Sequence, residues 1–292
     1  MENLDHYLAA GRIHAEVRAE VQERLTPGTR LLEIADFIER RIKEKGGGLA
    51  FPVNTSLNEV AAHYVAQRDD QTVIAEGDLL KVDIGVQVEG CVADGAFTYC
   101  SEKSDLAAAA ERAIAEAVKV IRPGARVGDI SQAIEDTVRS AGFGLIVNLT
   151  GHGVDEYQFH APPTIPNTAT GSRVLLEEGQ VIALEPFVAE RNGYVKESTP
   201  IEIYRLLLER PVRLAEARQI QQLAAGWNGF PFAKRWLPFS PIKVSMALRQ
   251  LDTVNAIESY PPLKEQSGMR VAQAEHTVVV LDKPVVTTQA VT

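Results

Sequence analysis

The stretch that decides the fold is EGDLLKVDIGVQVEGCVADGAFTY, residues 76–99. Two apolar runs, 79–88 and 91–99, flank Glu89-Gly90, a pair suited to a two-residue hairpin turn. Each run nevertheless carries a carboxylate, Asp83 in one and Asp94 in the other, and burying an unpaired charge is costly. A two-residue turn pairs position 94 with position 85. Period-two alternation then puts Asp94 on the same face as Asp83, one diagonal away. Charges of one sign held that close repel each other; a shared divalent cation relieves the repulsion, whereas a shared proton would make an acid dyad.

Outward from this hairpin the chain repeats itself. EGDLLKVDIG (76–85) is echoed by EGQVIALEPF (178–187), which sets Glu185 at the position equivalent to Asp83. TPGTRLLEIADFIERRIKEKG (26–46) is echoed by RPGARVGDISQAIEDTVRSAG (122–142), at a spacing of 96 residues, and PVNTS (52–56) by IVNLT (146–150). That spacing suits two related halves rather than a solenoid. Each copy of the longer echo reads as a turn followed by an amphipathic helix ending at glycine, with Pro27, Ile34, Ile38, Glu39 and Gly46 matching Pro123, Ile130, Ile134, Glu135 and Gly142. A further helix over 105–121 joins the halves, and strands are expected at 180–189, 194–204 and 271–281. Between 205 and 268 the pattern turns helical, in RLAEARQIQQLAAGW and PIKVSMALRQLDTVNAI, and reads as an inserted helical subdomain. The expected organisation is therefore α+β, with residues 1–204 and 269–292 forming one domain and 205–268 the insert.

A fourth acid, Glu275, interrupts the apolar run RVAQAEHTVVVL, and alternation turns its neighbour His276 to the opposite face. Asp83, Asp94, Glu185 and Glu275 together carry four negative charges, which two divalent ions would balance. Hard oxygen ligands with one imidazole suit Mn, Fe, Co or Zn. The candidate imidazole is His152 in NLTGHGVDEYQFHA, where flanking glycines let the backbone approach closely. His63 and His160, 97 residues apart, stand at nearly equivalent points of the two halves and flank this face.

Composition narrows the class. The 292 residues are 45% hydrophobic and 24% charged, enough to bury a sizeable core. A formal charge of -9 argues against a broadly basic nucleic-acid surface, and no apolar run approaches the roughly 20 residues that span a bilayer. Two cysteines, Cys91 and Cys100, form no CxxC motif and read as structural thiols of a cytoplasmic protein; the N-terminus has no secretory pattern, and a monomer is expected.

With these residues in view, the chain resembles the type II methionine aminopeptidases in their short, archaeal-like form. The resemblance runs from the first helix to the last strand and implies the pita-bread fold, with pseudo-twofold related halves. It places the family's five metal ligands on Asp83, Asp94, His152, Glu185 and Glu275, and PFAKRWLP and YPPL look like motifs of the type II insert. It implies a substrate-contacting role for His63, a role for His160 at the scissile carbonyl, and Glu185 as the carboxylate that shuttles a proton. Phe51, Phe159, Phe187 and Tyr260 match positions lining the methionine pocket, although Phe159 stands where aliphatic residues are common and would narrow it. Two divalent metal ions, nascent polypeptide N-termini as substrate and a transient contact with the ribosome are also implied. Prolidase and aminopeptidase P share the five-ligand set, but carry a further N-terminal domain and lack the insert. Non-catalytic proteins of the same fold lose ligands that are all present here.

Overall fold

The computed structural model describes residues 3–289. The helical echo seen in the sequence recurs in the backbone hydrogen bonds that flank each copy. Helices α1 (Leu4–Gln22) and α2 (Leu31–Glu44) of the first half match α3 (Asp105–Val120) and α4 (Val127–Ser140) of the second. Before α2, Gly28 N–H donates to Ile74 O at 2.8 Å; before α4, Gly124 N–H donates to Leu176 O, also at 2.8 Å. After α2, Gly46 turns the chain at a φ of 86° and donates to Lys43 O; after α4, Gly142 does so at 83° and donates to Arg139 O. That left-handed backbone costs glycine nothing and satisfies the last carbonyls of each helix, which is why both end there.

Each helix pair covers one core. The i, i+4 apolar stripe Ile34, Ile38, Ile42 of α2 packs with Val82, Ile84 and Val86, and the matching stripe Ile130, Ile134, Val138 of α4 lies in a core with Ile182, Leu184 and Val188. Because side chains alternate along a strand, seating Val82, Ile84 and Val86 under the helices turns Lys81, Asp83 and Gly85 to the other face. The Leu80–Val88 and Cys91–Tyr99 strands form the expected hairpin, with Gly85 opposite Asp94 and Asp83 opposite Ala96.

Three expected strands are broken. The run 180–189 becomes Val181–Leu184 and Phe187–Ala189, which lie in different sheets on either side of Glu185-Pro186. Pro186 has no N–H to continue a ladder, so the chain changes sheets there. The run 271–281 likewise splits into Val271–Gln273 and His276–Val279, and Glu275 pairs instead with Ala96 of the first half. The run 194–204 divides into Val195–Glu197 and Ile203–Leu206.

The segment 205–268 carries α5 (Ala215–Ala225) and α6 (Pro241–Thr253), packed around Ile220, Phe232, Leu248 and Leu251. It is not purely helical: Phe232–Ala233 and Ile257–Tyr260 flank Ile203–Leu206 in a three-stranded sheet, and Leu263–Glu265 pairs with Val60–Ala62 of the first half. A buried ion pair ties it to α2, where the Arg235 guanidinium donates to Glu39 at 2.5 and 3.1 Å and Trp236 Nε1 donates to the same carboxylate at 2.9 Å. No helix among the described residues is long and apolar enough to cross a membrane.

Candidate metal centre

Between the two halves lies a cavity of about 530 Å³, and all eleven side chains singled out from the sequence line it: Phe51, His63, Asp83, Asp94, His152, Phe159, His160, Glu185, Phe187, Tyr260 and Glu275. The two halves supply two acids each, Asp83 and Asp94 from the first hairpin, Glu185 and Glu275 from the two strand breaks of the second half. One ligand atom each from Asp94, His152 and Glu275 lie within 4.8 Å of one another. His152 Nε2 stands 3.8 Å from Asp94 Oδ2 and 3.7 Å from Glu185 Oε1.

These acids are short of partners. Asp94 and Glu275 are almost fully buried, Asp83 is half-buried, and neither Asp83 Oδ1 nor Asp94 Oδ1 has a hydrogen-bond partner or contact with solvent. Burial alone pushes the Asp83 carboxyl up to about 7. Burial first, and then the neighbouring carboxylates, push Asp94, Glu185 and Glu275 well above the usual carboxylate range. Among the described residues nothing cationic answers them, because the one imidazole among them is itself held neutral: burial lowers His152 to about 4. His152 Nδ1 donates to Gly153 O at 3.0 Å, which leaves the Nε2 lone pair to face the acids. Four converging carboxylates, with orphaned oxygens on Asp83 and Asp94, beside an imidazole fixed in its ligating tautomer, fit divalent cations and little else.

The rest of the cavity is a wall and a rim. Phe159 packs near Phe51 and Tyr260, at ring-centroid distances of 6.1 Å to each, and 4.1 Å from His160. His160 is thereby held between Phe159 and His152, whose ring lies 4.3 Å away. His63, in left-handed backbone at a φ of 64°, donates from Nδ1 to Pro261 O at 3.2 Å and meets Tyr260 edge-on. Burial lowers the pKa of both His63 and His160, which favours neutral rings in the cavity that the acids also line. The cavity is completed by residues that sequence reasoning passed over, among them Asn54, Asn148, Ile203 and Pro231. The two asparagines fall within the PVNTS and IVNLT echo, which was the available signal; Ile203 and Pro231 had none.

The model of metallopeptidase family M24 matches residues 5–281. The chain belongs to that family. This M24 chain is 48% identical over 286 residues to the methionine aminopeptidase of Thermococcus onnurineus, covering 96% of this chain and 97% of that protein. It is 43% identical to the methionine aminopeptidase of Thermococcus kodakarensis over the same shares. Among solved structures it is similar to the methionine aminopeptidase of Thermotoga maritima, with a TM-score of 0.72 and 24% identity, covering 99% of this chain and 97% of that one. That likeness carries the fold, and the M24 chain has the pita-bread architecture the resemblance implied.

Proposed function

We propose that this chain removes the N-terminal methionine from nascent proteins and peptides at a centre of two divalent cations held by Asp83, Asp94, His152, Glu185 and Glu275. The observation that carries the reading is the convergence of four carboxylates, two of them with oxygens lacking any partner, and one neutral imidazole at the floor of a cavity walled by aromatic rings. Full-length similarity to curated methionine aminopeptidases supports it. Co, Mn, Fe and Zn all suit such a ligand set. When bound, two such cations would bring the pKa of a shared water toward neutrality and polarise the scissile carbonyl.

The chain's own residues do the rest. Glu185 takes the proton of the attacking water and returns it to the leaving amine, the role the family resemblance implies for it. His160 presents a neutral ring at the rim to hydrogen-bond the carbonyl oxygen as charge develops there. His63 is anchored through Nδ1, so its Nε2 is free for the substrate. Phe51, Phe159, Phe187 and Tyr260 exclude water from an unbranched apolar side chain, with Phe159 narrowing the slot. The acids at the floor would take the free α-amine, which confines cleavage to the first residue.

Release of methionine from a Met-Gly-Met-Met peptide with added cobalt or manganese, abolished by a chelator, tests the reading. Cleavage restricted to X-Pro substrates would overturn it in favour of a prolidase. Asp94→Asn should lose both metal and turnover while the fold persists.

A further inference from the structure

Asp94 lies in the Cys91–Tyr99 strand and Glu275 in the break between Val271–Gln273 and His276–Val279, and the segments carrying them run antiparallel past each other. Their backbones meet directly at one pair only: Glu275 N–H donates to Ala96 O at 2.9 Å, and Ala96 N–H to Glu275 O at 3.3 Å. Two residues to either side, a regular ladder would repeat that exchange. Here a threonine hydroxyl stands in each time. On one side Asp94 N–H donates to Thr277 Oγ1 at 2.8 Å, and the same hydroxyl donates to Asp94 O at 2.8 Å. On the other, Gln273 N–H donates to Thr98 Oγ1 at 2.8 Å, and that hydroxyl donates to Gln273 O at 2.7 Å.

The arrangement follows the pseudo-twofold. Asp83 lies opposite Ala96, and the pairs Leu184 with His276 and Phe187 with Gln273 set Glu185 opposite Glu275. Exchanging the halves therefore exchanges Ala96 with Glu275, Thr98 with Thr277 and Asp94 with Gln273. Each half sends one hydroxyl across the seam to the backbone of the other. A threonine in a strand is ordinarily explained by β-propensity. Propensity does not explain why both hydroxyls spend their one proton and one lone pair on the two backbone groups of the facing residue. Gln273 in turn donates from Nε2 to Glu275 Oε2 at 3.3 Å, so the Thr98 clamp also reaches a carboxylate of the floor.

We propose that Thr277 and Thr98 are positioning residues, their hydroxyls spanning a seam too wide for direct backbone pairing so that the Asp94 and Glu275 carboxylates keep the separation that shared cations require. The proposal rests on the metal-centre reading above. Thr277 is fully buried, and replacing its hydroxyl with a methyl leaves the Asp94 N–H and C=O without partners while preserving shape. Thr98 is half-buried, and its loss frees Gln273 in the same way.

The experiment is titration of cobalt(II) into metal-free protein, read by calorimetry and by the d–d absorption of the bound ion. Thr277→Val should bind cobalt about tenfold or more weakly, with an altered absorption band, in keeping with the effect of outer-shell partners on metal affinity. Thr277→Ser, which keeps the hydroxyl, should stay within about threefold of the parent affinity, well inside that outer-shell loss. Should Thr277→Val fail to fold, Thr98→Val carries the same expectation. Parent-like affinity and absorption in the valine variants, or a serine variant no better than valine, would overturn the positioning role. Failure of the parent protein to bind cobalt would overturn the metal centre itself, and this inference with it.

Discussion

Stripping the metal should make the carboxylates of the floor a liability that grows with pH, and Glu275→Gln isolates one of them. Glu275 is 2% exposed, and burial followed by repulsion from Asp94, Glu185 and Asp83 raises its pKa well above its ordinary 4.5. A carboxyl whose pKa is higher folded than unfolded binds its proton more tightly in the native state. Its stabilising contribution is present at low pH and is lost as pH climbs toward the folded value. Below about pH 6.5 the buried histidines oppose this trend: His14 and His152, lowered to about 4, and His276, lowered to about 3, favour the native state as pH rises through the ordinary imidazole range. Lys81, buried and pushed well below its usual range, opposes it at higher pH as well. Comparing the variant with its parent cancels those groups. Over any interval in which the folded carboxyl keeps its proton and the unfolded one does not, the parent loses about 1.4 kcal/mol per pH unit relative to the variant. For a chain of this size each such unit corresponds to about 2–5 °C in Tm. The assay is differential scanning calorimetry of chelator-treated protein at fixed ionic strength. Metal-free parent should lose more Tm between about pH 6.5 and 8.5 than metal-free Glu275→Gln, and added manganese should remove the difference. Parallel Tm profiles for the two metal-free proteins would refute the reasoning.

Other outcomes follow from the same geometry. His63→Ala should lower kcat while metal stoichiometry by elemental analysis is unchanged, since the ring is anchored to Pro261 O rather than set among the acids; loss of metal would make it a ligand. Glu39→Ala leaves the Arg235 guanidinium, 5% exposed, without its principal partner, and should cost about 3–5 kcal/mol in urea unfolding. Cys91→Ser and Cys100→Ser should leave turnover at saturating metal unchanged, because both thiols are free and burial pushes the Cys91 thiol up to about 11, far from a reactive thiolate.

Much of this was legible in the sequence, for particular physical reasons. The hairpin register followed from a two-residue turn, and alternation then fixed the shared face of Asp83 and Asp94. The echo was legible because each copy needs the same helix stripe and the same glycine stop, so the hydrogen bonds recur with it. The breaks at Glu185-Pro186 and at Glu275 were hidden because residues on both sides are buried on both faces, which erases any change of period where a strand leaves one sheet for another. The short strands of the 205–268 segment offered too few residues to show alternation. Glu39 and Glu135 are equivalent in the echo, yet Glu39 holds Arg235 and Trp236 from nearly 200 residues away while Glu135 accepts from Ala169 N–H and Arg139. No local pattern distinguishes them. The threonine seam was hidden for a similar reason, since Thr98 and Thr277 are ordinary strand residues until the facing backbone is in view.

The central claim is that the carboxylates at 83, 94, 185 and 275 are tolerable together because cations sit among them. Diffraction from crystals of cobalt-loaded protein, collected on both sides of the cobalt absorption edge, tests it most directly. Two anomalous peaks enclosed by Asp83, Asp94, His152, Glu185 and Glu275 are the predicted result. A cavity without anomalous density, or peaks only at surface carboxylates, would contradict the account.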